Sequence, residues 1–424
     1  MSDFSNLPVP AEADKDSMLT RKFGPQLLNY FAGSPLNRLG WLRTDHDFLT
    51  QAIQHTSTSF LLLKDLAPLA HDPSRLAYAS YQDVKPLIGD SPYTQTEDKL
   101  IESYDSSKTT AQLVFLGLDE RVSGTTDFLT YTSYKGKPYF ALDITSKSPI
   151  AQACEDLTSK MKDKGLTFLE GRMHLSLSAE EAAITATARS MIDWNARNPF
   201  CAGCGQPTLS INAGFKRTCL PTDWKDVENK GTLGSTTASK PNERSSCATR
   251  KGISNLSFPR TDPTVIMACL SHDGKKILLG RQKSWPEYWY SCLAGFVEAG
   301  ESVEEAVRRE VDEEAGVQLG RVVIHSTQPW PYPNSLMIGC IAQARSDGEE
   351  IKLNDQELEK ARWFPIEEVQ EAMRVGVGRI DQSDTPHPEY KPGNLRLPPP
   401  TAIANRLVDA VLTGFAGNLS SPNL

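Results

Sequence analysis

The sequence predicts an α+β protein built from an N-terminal mixed α/β domain, a zinc ribbon and a C-terminal α/β domain. Strand-like and helix-like segments fill residues 23–196, cysteines with metal-binding spacing follow in 197–260, and a compact α/β pattern returns in 261–416. The 424 residues suffice for two or three such domains. A flexible leader is expected at 1–22 and a short tail at 417–424.

The composition narrows the class of protein. Hydrophobic residues make up 39% and charged residues 23% of the chain, which is ordinary for a globular protein. The net charge of −8 argues against a broad nucleic-acid-binding face, although a local basic groove stays possible. No apolar run reaches the roughly 18 residues of a membrane span, so no membrane interaction is expected. The polar, acidic N-terminus is unlike a secretory or transit signal, and a reducing intracellular compartment is the expectation.

The N-terminal domain is predicted from strand-like segments and one long helix. A turn is expected at Lys135-Gly136-Lys137, and a helix is expected over 179–196 with Ser178 as its N-cap. The predicted strands lie in 60–70, 111–120, 127–144 and 165–171. No catalytic constellation occurs in this region, so the sequence favours an accessory or dimerisation domain.

A Cys-x2-Cys motif marks the predicted zinc ribbon. Cys201 and Cys204 flank a short glycine-containing turn that can point two thiolates at one Zn²⁺, and Cys219 follows. Cys247, across a polar insertion at 222–246, is the nearest remaining thiol and the predicted fourth ligand. Four cysteine ligands leave no open position for water, so one structural zinc ion per chain is expected. The alternatives are a free Cys247 with three thiols on the metal, or no metal.

The most specific motif lies in residues 295–317, GFVEAGESVEEAVRREVDEEAGV, which match every defined position of the Nudix box. The glycines at positions 295 and 300 allow a sharp turn into a helix. Ser302 and Glu305 form a Ser-x-x-Glu capping box that predicts the start of this helix, and Gly316 predicts its end.

Three glutamates of this motif are predicted to share one helical face. Glu310, Glu313 and Glu314 stand at i, i+3 and i+4, where like charges repel unless a hard cation such as Mg²⁺ or Mn²⁺ binds them. Arg309 can orient one of these carboxylates. Such a cation would neutralise a diphosphate and activate a water molecule, with Glu313, Glu314 or Glu357 as the general base. The alternative of a solvated acidic helix does not account for the loop glycines or for the fixed spacing of Glu301 and Arg309.

An aromatic segment, residues 327–335 (TQPWPYPNS), follows the Nudix box. Its three prolines exclude a helix or a central strand, so a stiff loop is predicted. The loop carries an indole, a phenol and two amides, which suit a flat heterocycle and a carboxamide.

In this segment the chain resembles the NADH pyrophosphatase, or NudC-like, family of Nudix hydrolases. That family is marked by Ser-Gln-Pro-Trp-Pro-Phe-Pro-x-Ser, from which this chain departs at Thr327 and Tyr332. Further similarity appears around 115–117 and 140–143. The long gap before Cys247 resembles the fungal, peroxisomal type of the family.

The resemblance implies a C-terminal Nudix α/β/α sandwich, a homodimer, and hydrolysis of NADH or NAD⁺ to nicotinamide mononucleotide and AMP. It implies cation ligands at Glu310, Glu314 and Glu357, with Glu313 also in the cluster. It also implies substrate contacts from Phe258, Phe296, Gln328, Pro329, Trp330, Pro331, Tyr332, Pro333, Asn334, Ser335 and Ala404.

Two alternatives to this function stay open from the sequence. The first is a Nudix hydrolase of another substrate, such as ADP-ribose, a dinucleoside polyphosphate or NAD-capped RNA. The second is a non-catalytic module that binds through the ribbon. The ending Pro422-Asn423-Leu424 resembles a divergent peroxisomal address, which predicts an import receptor as partner and the peroxisome, otherwise the cytoplasm, as location.

Overall fold

The computed structural model describes residues 28–147, 149–171, 173–225, 227, 240–251, 256–257, 260–298, 301–354, 357–381 and 386–414. The predicted leader, Phe258 and the Pro422-Asn423-Leu424 ending lie outside these residues. The chain divides into two compact units, Ser34–Arg260 and Met1–Gly33 with Thr261–Leu424. Within the described residues, none of the helices combines the length and hydropathy that crossing a bilayer demands.

The first unit is built on a seven-stranded sheet. The sheet order is β3-β2-β1-β6-β4, with β5 paired to β6 and β7 to β2, and β1 runs parallel to β6. These strands are β1 (Ser59–Lys64), β2 (Ala67–Asp72), β3 (Arg75–Leu76), β4 (Leu113–Asp119), β5 (Leu129–Tyr131), β6 (Tyr134–Asp143) and β7 (Thr167–Phe168). The helices of this unit are α1 (His46–Gln54), α2 (Tyr81–Ile88), α3 (Glu97–Glu102), α4 (Ala151–Asp163) and α5 (Ala179–Arg197).

One local prediction in this unit is wrong and another is confirmed. The predicted turn at Lys135-Gly136-Lys137 is wrong, because β5 and β6 meet at Thr132 and Ser133, and Gly136 lies inside β6. The glycine is needed there for packing, since a Cβ would press against the backbone of Asp119. The prediction of α5 is confirmed, with Ser178 at its N-cap position. The Ser178 hydroxyl, however, donates to the Glu181 carboxylate (3.2 Å) and makes no capping bond to the backbone.

A small cysteine-bearing module completes the first unit. Its strands β8 (Thr208–Ile211), β9 (Lys216–Cys219) and β12 (Leu256–Ser257) form an antiparallel sheet in the order β12-β9-β8. The two ends of the predicted insertion pair as β10 (Thr222–Asp223) and β11 (Asn242–Glu243). The short helix α6 (Ala248–Lys251) follows Cys247 directly.

The second unit is a six-stranded mixed sheet covered by helices on both faces. The order is β16-β17-β13-β14-β18, with β15 paired to β13. The strands are β13 (Asp262–Leu270), β14 (Lys276–Arg281), β15 (Leu293–Phe296), β16 (Leu319–Trp330), β17 (Ser335–Ala344) and β18 (Lys360–Pro365). The helices are α7 (Val303–Ala315), α8 (Ile366–Val375) and α9 (Ile403–Thr413).

The burial along β13 explains the layering of this unit. Val265 and Met267 point to the core that holds α7, whereas Ile266 and Ala268 point to the core that holds α8 and α9. A strand covered on both faces buries successive side chains on opposite sides. The described residues therefore confirm the α+β class, and this unit has the predicted helix–sheet–helix arrangement.

The aromatic segment is only partly a loop, so the prediction of a loop over 327–335 is wrong for residues 327–330 and for Ser335, which begins β17. Residues 327–330 continue β16, where Pro329 faces Leu336 and Trp330 faces Ser335 of β17. Proline is tolerated here because β16 lies at the edge of the sheet and its outer side needs no donor. The loop itself is 331–334, with a cis bond between Tyr332 and Pro333.

Candidate catalytic and metal-binding sites

Helix α7 positions the acidic side chains of the Nudix box. The capping box of Ser302 and Glu305 is confirmed, because the Ser302 hydroxyl accepts from Glu305 N and the Glu305 carboxylate accepts from Ser302 N. Gly316 ends the helix with φ 71°, also as predicted. Val307 and Val311 face the core of the sheet. The helix therefore has one orientation and a defined start, which fixes the direction of its glutamates.

Glu310 packs against the backbone of β15 at Gly295. A Cβ at position 295 would overlap the Glu310 carboxylate, so only glycine permits this approach. Burial raises the pKa of Glu310, Arg309 opposes that shift, and the negative charges of Glu313 and Glu357 add to it. Glu310 is therefore a half-buried carboxylate in a field of like charges, as expected of a cation ligand.

Arg309 contacts three carboxylates at the acidic face of α7, those of Glu301, Glu310 and Glu313. Its guanidinium grips Glu301 in a bidentate pair, with Nε to Oε1 at 2.6 Å and Nη2 to Oε2 at 3.0 Å. Nη1 donates to Glu310 and to Glu313, both at 2.9 Å, and Nη2 donates to the carbonyl of Phe296 at 2.8 Å. The Arg309 hydrogen bonds lower the pKa of Glu301 to about 2. Glu301 therefore holds Arg309, and Arg309 aligns two of the predicted cation ligands.

The four predicted cation ligands differ in exposure. Glu314 is 3% exposed, Glu310 is half-buried, and Glu313 and Glu357 are exposed. Among the described residues, these carboxylates do not form a group whose ligand atoms all lie within 4.8 Å of one another. A cation on this face would compete with Arg309 for Glu310 and Glu313. Carboxylate oxygens are nevertheless the donors that Mg²⁺ and Mn²⁺ prefer, so the residues present fit such an ion.

Gln328, a predicted substrate contact, is buried. It is 1% exposed; its Nε2 donates to the carbonyls of Tyr30 (3.0 Å) and Thr401 (2.9 Å), and its Oε1 accepts from Ile403 N (2.9 Å). The side chain thus joins three distant parts of the chain. Ala404 is also buried, on α9. Their predicted contacts with substrate stay predictions, while the structure gives both residues packing roles.

The other predicted substrate residues are more accessible. The rings of Trp330 and Tyr332 are half-buried and meet edge to face at 5.2 Å between centroids. Phe296 is 59% exposed at the end of β15. Of the remaining predicted contacts, Pro329 is half-buried, Pro333 is exposed, and Pro331, Asn334 and Ser335 are buried.

The four predicted zinc ligands come together in the first unit. The sulfur atoms of Cys201, Cys204, Cys219 and Cys247 all lie within 4.8 Å of one another. The Cys201–Cys247 distance is 3.8 Å and the Cys204–Cys219 distance is 3.6 Å. Tetrahedral thiolates bound to Zn²⁺ at about 2.3 Å stand roughly 3.8 Å apart, so this donor set fits zinc.

Thr249 and Arg250 contact the sulfur atoms, although the sequence did not predict them as part of the site. The Thr249 hydroxyl lies 3.0 Å from Cys247 Sγ and 3.5 Å from Cys201 Sγ, and Arg250 Nη1 donates to Cys219 Sγ at 3.3 Å. The hydrogen bonds of Thr249 lower the pKa of Cys247 and help to lower that of Cys201, which favours the metal-binding thiolate, whereas burial raises the pKa of Cys219. Thr249 and Arg250 stand two and three residues after Cys247, which is the signal that the sequence offers, and α6 turns them back onto the cluster.

Two family models match separate parts of the chain. The NUDIX domain model matches residues 260–381, which include α7 and its acidic face. The model of the NADH pyrophosphatase-like rudimentary NUDIX domain matches residues 57–194, which include the seven-stranded sheet. Residues 195–259, with the four cysteines, lie between the two matches.

Several relatives align over most of the chain. A Schizosaccharomyces pombe protein described as an NAD-capped RNA hydrolase is 37% identical over 386 residues, which cover 90% of this chain and 92% of the relative. The human NAD-capped RNA hydrolase NUDT12 is 34% identical over 413 residues, covering 95% of this chain and 78% of its own. The mouse mitochondrial NAD(P)H pyrophosphatase NUDT13 is 34% identical over 279 residues, covering 65% and 68%.

Proposed function

This chain belongs to the NADH pyrophosphatase-like, or NudC-like, family of Nudix hydrolases, and from that premise we propose that it hydrolyses the diphosphate bond of NAD-type dinucleotides. With NADH or NAD⁺ the products are nicotinamide mononucleotide, reduced or oxidised, and AMP. The observation that carries this proposal is the acidic face of α7, where Arg309 aligns Glu310 and Glu313 beside the half-buried Glu310–Gly295 contact.

The residues of this face can divide the work of hydrolysis. Glu310, Glu314 and Glu357, with Glu313 beside them, would hold Mg²⁺ or Mn²⁺. The ion, when bound, supplies charge neutralisation to the diphosphate and lowers the pKa of a water molecule. Arg309, locked by Glu301, keeps the carboxylates at fixed positions, and one of the glutamates takes the proton of the attacking water.

NAD-capped RNA is the second candidate substrate, because relatives that align over most of this chain carry that description. The bond cleaved is the same in the free dinucleotide and in the cap. The net charge of −8 gives RNA no general attraction, so recognition of the cap itself would have to dominate.

A substrate panel tests the proposal. NADH, NAD-capped RNA, ADP-ribose and diadenosine polyphosphates are incubated with Mg²⁺ or Mn²⁺, and the products are identified by mass spectrometry. We expect nicotinamide mononucleotide and AMP from NADH, with turnover lost in Glu314→Gln. Cleavage of ADP-ribose with NADH and capped RNA untouched would overturn the substrate assignment. Binding without turnover, unchanged in Glu314→Gln, would instead support a non-catalytic module.

We also propose one structural zinc ion per chain, held by the four cysteines, and a homodimer. The dimer is supported by exposed apolar side chains, Val323 and Ile324, on the edge strand β16, because such edges invite pairing. Light scattering coupled to size-exclusion chromatography measures the state directly. A monomer at micromolar concentration would contradict the dimer.

Peroxisomal import is proposed from the Pro422-Asn423-Leu424 ending alone. A fluorescent fusion at the N-terminus, with and without these three residues, measures whether the ending directs import. We expect peroxisomal signal only with the ending, and a cytoplasmic signal in both fusions would reject the import proposal.

A further inference from the structure

Residues 28–33, here called the anchor segment, pack against the aromatic segment of the second unit. Asn29, Tyr30 and Phe31 are each at most 2% exposed. The matched family models begin at residues 57 and 260, so neither includes the anchor segment. The predicted domain boundary at residue 23 also gave it to the N-terminal domain, although residues 28–33 belong to the second unit.

The backbone of the aromatic segment is held by polar contacts with the anchor segment. Asn29 Nδ2 donates to Ser326 Oγ at 3.0 Å and to the carbonyl of Thr327 at 2.9 Å. The carbonyl of Tyr30 accepts from Gln328 Nε2 at 3.0 Å. Three consecutive residues of β16 are therefore bonded to two residues of the anchor segment, at the point where β16 leads into the loop 331–334.

The rings of the aromatic segment are held by Phe31. Its ring meets Trp330 edge to face at 6.0 Å and Tyr332 at 6.1 Å between centroids. Phe31 has φ 72°, a left-handed conformation that is unfavourable for a residue with a side chain. The buried ring contacts retain the residue in this conformation, so the ring is fixed and in turn limits the positions of Trp330 and Tyr332.

We propose that Asn29 and Phe31 are positioning residues, which preorganise Trp330 and Tyr332 to receive a flat ring of the dinucleotide. This inference rests on the proposed function, because it assigns the aromatic segment to substrate binding. Preorganised rings lose less conformational freedom when a base docks, so the anchor segment should act on affinity for the dinucleotide and leave the chemical step unaffected.

The test compares the same substitution at two buried phenylalanines of the second unit, in the full chain. Phe31→Leu removes the ring contacts with Trp330 and Tyr332, whereas Phe364→Leu removes a ring from the core beside Tyr290. We expect Phe31→Leu to raise the KM for NADH roughly three- to tenfold, the worth of edge-to-face ring pairs, with kcat within about twofold. Phe364→Leu should lower the melting temperature without changing KM.

A second measurement does not depend on the substrate. Hydrogen–deuterium exchange should quicken in residues 326–336 of Phe31→Leu and of Asn29→Asp, which cannot donate to Ser326 or Thr327. Phe364→Leu should leave that segment as in the native chain. Equal KM changes in both phenylalanine variants, or unchanged exchange in Phe31→Leu and Asn29→Asp, would overturn the proposal. If the native chain cleaves no NAD-type dinucleotide, the proposed function fails, while the exchange experiment still decides whether the anchor segment orders the aromatic segment.

Discussion

At the scale of single residues, the acidic face depends on two contacts that leave little room for change. Glu310 lies against Gly295, and Arg309 is clamped by Glu301. Both contacts fix the position of a charged side chain without adding a further charge to the helix. Side chains held in this way do not have to be ordered at the moment of reaction.

We expect Gly295→Ala to lower kcat/KM by roughly a hundredfold, because the new Cβ must displace the Glu310 carboxylate by about an ångström. Steady-state hydrolysis of the dinucleotide measures the loss. Gly320→Ala is the matched control on β16, since the nearest atoms to a Cβ there are 3.7 Å away. Similar activity in both variants would mean that Glu310 does not need its position against Gly295.

Gln328→Glu separates packing from substrate binding at the aromatic segment. The variant points a carboxylate at the carbonyls of Tyr30 and Thr401. In the native chain, both carbonyls accept from the Gln328 amide. We expect the free energy of unfolding to fall by about 2 kcal/mol or more, because two buried acceptors lose their donor. Urea unfolding measures this, with the exposed Gln343→Glu as control. A variant as stable as the native chain but with raised KM would assign Gln328 to substrate contact.

At the scale of elements, the cysteine module joins distant pieces of the chain around one point. The knuckle at Cys201 and Cys204, strand β9 with Cys219 and helix α6 after Cys247 all contribute sulfur atoms. A module with so little apolar core would rely on the proposed zinc ion for stability, because the binding free energy is also folding free energy.

Cys247→Ser distinguishes the four-thiol site from the alternatives left by the sequence. With Cys247 as the fourth ligand, we expect one zinc ion per native chain. Cys247→Ser and Cys219→Ser should both lose this ion. Elemental analysis of the purified variants measures the zinc content. Zinc retained in Cys247→Ser and lost in Cys219→Ser would support the three-thiol site, and a native chain free of zinc would reject both.

A buried ion pair between Asp223 and Arg244 holds the two ends of the insertion together. Asp223 accepts from Arg244 Nη2 at 2.5 Å, from Ser106 N at 3.0 Å and from Ser106 Oγ at 2.6 Å. Burial works against ionisation, but the hydrogen bonds from Ser106 and Arg244 prevail and lower the pKa of Asp223 to about 2. A lowered pKa stabilises the fold above the unfolded value near 4, and this stability is lost as the pH falls towards 2.

We therefore expect Asp223→Asn to cost about 3 kcal/mol at neutral pH, because Arg244 keeps a buried charge without its partner. The difference between native chain and variant should shrink as the pH falls from about 4 to about 2. Urea unfolding across this range provides the measurement. A difference that stays constant with pH would show that the carboxylate charge contributes nothing.

At the scale of the whole molecule, two chemically different donor sets lie in separate units. The first unit gathers four thiols, and the second gathers carboxylates. Soft sulfur ligands select zinc, whereas oxygen ligands select Mg²⁺ or Mn²⁺. Under the proposed function, each unit would therefore hold its own metal, one for stability and one for hydrolysis.

We expect brief treatment with EDTA to abolish hydrolysis and leave the melting temperature unchanged, because the carboxylate-bound ion exchanges freely and the thiolate-bound ion does not. Added Mg²⁺ or Mn²⁺ should restore turnover, with the zinc content constant throughout. Full activity in the presence of excess EDTA would contradict the assignment of the acidic face to a catalytic cation.

What could be predicted from the sequence was local. The limits of α7, its capping box and its Gly316 end followed from residues within one helical turn of each other. The four cysteines of the predicted zinc site could be identified by their spacing and their scarcity. The extent of the loop 331–334 could not, because proline in 327–330 is compatible with an edge strand, and position in the sheet is not written in the local sequence.

By itself, the sequence determined the helix that carries the acids and the residue types proposed to hold the metals, because periodicity, caps and ligand spacing act over short range. The tertiary structure decided how those groups are held. Asn29 bonds to Ser326 across 297 residues, and Gln328 bonds to two distant segments, at Tyr30 and at Thr401 and Ile403. Contacts between residues so far apart leave no pattern in the sequence, since they depend on how whole elements pack.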